Sequence, residues 1–81
     1  MAVKVLLFAA MAERAGVRSI EVDHMAGDTV AHVRERVLSE RPALQEFVPT
    51  LLYALNEEYV REGDAVPDGA TVAFIPPVSG G

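Results

Sequence analysis

The 81-residue sequence contains no cysteine. That excludes disulfides, thiolate metal sites, iron–sulfur clusters and a cysteine nucleophile. Positive charge is also scarce: 7 Lys and Arg stand against 12 Asp and Glu, for a net charge of −5. With no basic patch to displace counterions from phosphates, nucleic acid is disfavoured as a partner. An acidic surface suits instead a partner with a basic docking face. Lys4 is the only lysine, and Asn56 and Gln45 are the only side-chain amides, a bias found in thermostable proteins. No run approaches the ~20 apolar residues of a membrane span. Lys4 followed by Val5–Ala12 imitates a secretory signal, but the apolar stretch is short and cleavage there would remove the best strand. A cytoplasmic protein with no membrane partner is expected.

Catalytic constellations are missing too. His24 and His32 are separated along the chain without clustered carboxylates, so surface or capping roles are expected and no metal site. Glu57 and Glu58 are adjacent on a turn and point apart, unlike a general acid–base pair. Gly-rich phosphate loops are absent, so no cofactor, ATP included, is expected to bind this chain.

What is present is a core. A hydrophobic fraction of 51% in 81 residues supports one domain and argues against disorder. Ala2–Ala9 reads as a strand with Val3, Val5 and Leu7 on one face and Lys4, Leu6 and Phe8 on the other. Either the strand is buried on both faces, or Leu6 and Phe8 form an exposed apolar patch, the reading preferred for Phe8. Ala10–Gly16 reads as a short helical turn or loop closed by Gly16, and Arg18–Asp23 as a second strand with Ile20 and Val22 inward. Asp28 or Thr29 caps a helix running to about Glu40, whose Val30, Val33, Val37 and Leu38 form one buried stripe. Pro42 stops it. Ala43–Pro49 is a connector, Leu51–Leu55 a strand, Asn56–Glu58 a turn, Tyr59–Val60 a returning strand, and Gly63–Gly69 another turn region.

The last strand, Thr71–Ile75, turns Val72 and Phe74 inward and Ile75 outward. Pro76 and Pro77 deny the sheet further donors, so residues 76–81 are expected to leave a domain of residues 1–75 as a stiff arm of roughly 20 Å. Gly80 and Gly81 lack Cβ atoms and allow the backbone through a narrow channel. Such a channel would receive one reactive group, the α-carboxylate of Gly81, ionised with a pKa near ~3.5 and therefore needing activation.

Phe74-Ile75-Pro76-Pro77-Val78-Ser79-Gly80-Gly81, with Val3–Ala9 and Ala54–Val60, resembles the small subunit of molybdopterin synthase, a ubiquitin-like sulfur carrier. The resemblance spans essentially the whole chain. It implies an α+β class with the ubiquitin-like β-grasp fold, a mixed sheet wrapped around one main helix, which the element order also fits. It further implies that an ATP-dependent adenylating enzyme activates Gly81 and that a sulfur donor converts it to a thiocarboxylate. The large catalytic subunit of molybdopterin synthase, in a heterotetramer, then uses that sulfur on a cyclic pterin monophosphate precursor in molybdenum cofactor biosynthesis. The chain would be a non-catalytic donor subunit, with acid–base groups on its partner. By position, Phe8, Tyr59 and Ile75 match the family's docking surface, and Pro76, Pro77, Val78, Ser79 and Gly80 its tunnel-lining tail. One departure is that Ala12 precedes Glu13 and Arg14 follows it, where the family often places arginine before glutamate. The same fold and tail suit a sulfur carrier for thiamine or tRNA thiolation, or a ubiquitin-like modifier conjugated through Gly81.

Overall fold

The computed structural model describes residues 1–77. Five strands form one sheet: β1 (Ala2–Leu7), β2 (Ser19–Asp23), β3 (Leu52–Leu55), β4 (Glu58–Val60) and β5 (Thr71–Ile75). Helix α1 (Ala9–Ala15) joins β1 to β2, and α2 (Val30–Glu40) follows β2. The strand order is β2-β1-β5-β3-β4. β1 and β5 are parallel at its centre and every other neighbouring pair is antiparallel. This is the expected mixed β-grasp sheet.

Period-two alternation decides which face closes over the helix. Val3, Val5 and Leu7 of β1 and Val72 and Phe74 of β5 are buried. They pack in one core with Val30, Val33, Val37 and Leu38 of α2, the stripe expected from the sequence. Valine is a modest helix former, so α2 owes its stability mainly to this packing. Its cap is Thr29 rather than Asp28: Thr29 Oγ1 accepts from the His32 backbone N–H, and His32 Nδ1 accepts from the Thr29 N–H. The two N–H groups before that, on Val30 and Ala31, donate to the carbonyls of Asp64 and Glu62. The segment expected as a plain turn is therefore the seat of the helix, and Val66 within it is buried. Nonlocal carbonyl caps leave no side-chain signature in a sequence.

The first strand ends at Leu7 rather than Ala9, because Ala9 takes a φ of 50° and starts α1. That helix buries Met11 and closes at Gly16, whose φ of 77° is the left-handed cap that glycine accepts without strain. Pro42–Thr50 is a 3-10 helix that buries Leu44 and half-buries Phe47. Arg34 of α2 ties the helix to β3, donating to Tyr53 Oη at 2.9 Å and pairing with Glu62 at 2.9 Å. Tyr53 stands edge-on to Phe74, with ring centroids 5.5 Å apart.

The β3–β4 connection is a two-residue turn with Asn56 at φ 47° and Glu57 at φ 74°, the backbone signs of a type I′ hairpin. Asparagine tolerates that region; its Oδ1 accepts from the Thr71 N–H at 3.0 Å, pinning the turn to β5. Glutamate gains nothing there and carries left-handed strain of about 1–2 kcal/mol. Glu57→Gly is expected to raise stability by about 0.5–1 kcal/mol, after glycine's extra unfolded-state entropy is subtracted. Thermal denaturation should show an increase of about 3–5 °C. Glu57→Ala, which keeps the strain, should not reproduce it.

Candidate functional site

The sheet face turned away from α2 is organised in rows by strand register. Leu6 lies opposite Ala73, Ala73 opposite Ala54, and Ala54 opposite Tyr59, so one row crosses four strands. Two alanines between a leucine and a tyrosine make a trough. The next row toward the end of β5 pairs Ile75 with Leu52, and Phe8 comes level with them one residue past the Leu7–Phe74 pair. The resulting groove has a volume of about 590 Å³, with Asn56 and Glu57 at one rim.

Phe8 is 44% exposed and Tyr59 75% exposed, while Ile75 is half-buried between neighbouring strands. These three residues, singled out in the sequence, thus meet on one surface. Leu6 is half-buried and belongs to the same face. Sequence reasoning missed Leu52, which is 49% exposed, and the alanine floor of Ala54 and Ala73. The alternation that put Val72 and Phe74 inward also assigns Ala73 outward; small residues carried no signal of their own. Exposed Phe, Leu and Tyr contiguous on a sheet face are suited to burial against another protein.

Pro76 is buried and Pro77 exposed. β5 ends at Ile75, and Pro76 is the one buried residue after it among those described. Val78, Ser79, Gly80 and Gly81 lie outside the described residues.

The charged groups divide into engaged and unengaged ones. Arg14 pairs with Glu46 at 2.8 Å across α1 and the 3-10 helix. Asp28, 4% exposed, is gripped by both terminal nitrogens of Arg36, with Nη2 to Oδ1 at 2.7 Å, and accepts from the Met25 N–H at 2.8 Å. The Arg36 hydrogen bonds hold its carboxyl below the usual range, at about 2, against the opposing effect of burial. His24 Nε2 lies 2.6 Å from the Val66 carbonyl, and His32 serves the helix cap. Among the described residues no group of three or more His, Asp or Glu is placed to hold a metal ion. No helix among them is long and apolar enough to cross a membrane.

The apolar sheet face runs up to the end of β5, and the chain is similar to known proteins along its length. The molybdopterin synthase sulfur carrier subunit of Chlamydomonas reinhardtii is 41% identical, with both chains covered in full. That of Escherichia coli is 40% identical over 98% of this chain and 99% of its own. The crystal structure of small archaeal modifier protein 1 from Haloferax volcanii superposes with a TM-score of 0.92 at 31% identity, covering 100% of each chain. The family model described as the ThiS family matches residues 5–81, and the chain belongs to that family.

Proposed function

We propose that this chain is the sulfur-carrier subunit of a molybdopterin synthase and that Gly81 carries the sulfur. The observation that supports the reading most is the end-to-end likeness to sulfur carrier subunits, through the Gly-Gly terminus, on a scaffold with no thiol of its own. The Gly81 carboxylate attacks the α-phosphate of ATP on an adenylating enzyme, releasing pyrophosphate and forming an acyl adenylate. Sulfide-level sulfur attacks the acyl carbon, the bond to AMP breaks, AMP leaves, and a thiocarboxylate remains. The large catalytic subunit docks on the face of Phe8, Tyr59 and Ile75 and receives the tail. Its acid–base groups then direct the terminal sulfur at a cyclic pterin monophosphate precursor. The small chain contributes position: a good nucleophile held at high effective concentration on a short tether.

Incubation with ATP, the adenylating enzyme and a sulfur source should raise the intact mass by about 16 Da, the exchange of one oxygen for sulfur. Fragmentation should place the change on Gly81. An unchanged mass under conditions that load an authentic carrier removes the reading. The likeness to the archaeal modifier favours one other use of the same end, an isopeptide bond from Gly81 to a protein amine. Lys4 is the only side chain of this protein through which copies could be linked that way, and conjugates of higher mass would reveal it.

A further inference from the structure

A second concavity, of about 630 Å³, adjoins the groove and shares Leu6 and Phe8 with it. Its other wall comes from α1 and the residues leading into β2, with Ala12, Glu13 and Arg18 among its lining. The chain's cations are mostly committed. Arg14 is held by Glu46, Arg34 by Tyr53 and Glu62, Arg36 by Asp28, and Arg41 by the Ala15 carbonyl at 3.0 Å. Lys4, Arg18 and Arg61 have no side-chain hydrogen bond or ion pair among the described residues. Arg61 lines a concavity beside Glu62, which is already bound to Arg34. Arg18 instead shares its concavity with an unengaged carboxylate, Glu13, and no ion pair joins the two. Both are exposed.

We infer that this concavity extends the docking face, and that Arg18 and Glu13 receive an oppositely charged pair of side chains from the large partner protein, a carboxylate on Arg18 and a cation on Glu13. The inference rests on the docking face proposed above and adds to it the element that fixes orientation. An apolar groove tolerates rotation of its occupant; two opposite charges at one end do not. Charges arranged in this way contribute specificity and register.

The test exploits net charge. For a chain at −5, long-range attraction to a basic partner strengthens when a cation is removed and weakens when an anion is removed. Local pairing predicts something different: Arg18→Gln and Glu13→Gln both weaken the complex. Affinity for the large subunit would be measured by calorimetry with the full chain, alongside Arg14→Gln, whose partner is internal, and Arg18→Lys. We expect about a tenfold loss for each of the first two variants, partial recovery with Arg18→Lys, and no loss for Arg14→Gln. Matching thermal midpoints would show that folding is intact, as exposed side chains without internal partners should allow. Arg18→Gln binding as well as or better than wild type overturns the inference while leaving the docking face standing. Failure of the wild-type chain to bind the large subunit at all overturns both.

Discussion

Removing Gly80 and Gly81 is expected to reduce sulfur loading below detection while shifting the thermal midpoint by no more than about 2–4 °C. The two outcomes separate because the core closes earlier: Phe74 and Pro76 are the last buried residues among those described. Surface changes beyond such contacts usually lie within about 0.5 kcal/mol. Adding one residue after Gly81 tests the same point more finely. It moves the reacting carboxylate by about 3.5 Å, roughly the whole separation of reacting atoms in a near-attack geometry, and loading should fall by about a hundredfold or more. Phe8→Glu is the complementary variant. It places a charge where an aromatic ring is expected to be buried by the partner, so affinity for the large subunit should fall about a hundredfold. The exposed ring contributes little to the core, and the fold should persist. Intact-mass loading, calorimetry and circular dichroism check the three readouts. A truncated chain that still gains sulfur would show that the terminal glycine is not the carrier.

Asp28→Ala is expected to cost about 3–4 kcal/mol and to lower the thermal midpoint by about 15–25 °C. Loss of one partner of a buried ion pair costs more than the pair's net worth, because the other charge is left uncompensated. Arg36 keeps one contact, to the Asp23 carbonyl at 3.1 Å, and its side chain is 27% exposed, which places the cost at the lower end of the usual range. The midpoint shift follows from about 4–8 °C per kcal/mol for a domain of this size. The double variant Asp28→Ala/Arg36→Met should recover part of the loss.

The same pair sets an acid limit. The folded-state pKa of Asp28 is lowered from 3.8 to about 2, so the unfolded chain binds this proton first as pH falls. Its stabilisation is present in full above about pH 4 and disappears between about pH 4 and pH 2. The shift corresponds to about 2–3 kcal/mol. Denaturant titrations at pH 7, 4 and 2.5 should show the decline in wild type, and Asp28→Asn should lose that share of it.

The sequence by itself determined the secondary structure that depends on local chemistry. The valine stripe of α2, the alternation in β1 and β5, the glycine stop after α1 and the turn at Asn56 each act through near neighbours, so each left a local mark. It also excluded a cysteine as the carrier of any sulfur, and the Pro-Pro-Val-Ser-Gly-Gly ending supplied the resemblance on which the proposed role of Gly81 rests. Tertiary structure decided what depends on partners distant in the chain. Of the two cap candidates, Thr29 satisfied the cap and Asp28 became an ion-pair partner, because Arg36 lay about two turns into the helix. The burial of Pro76, just past the end of β5, is likewise set by the fold around it. Register alone set Ala54 and Ala73 side by side as the floor between Leu6 and Tyr59, since pairing across strands is fixed by hydrogen bonds between residues far apart in sequence.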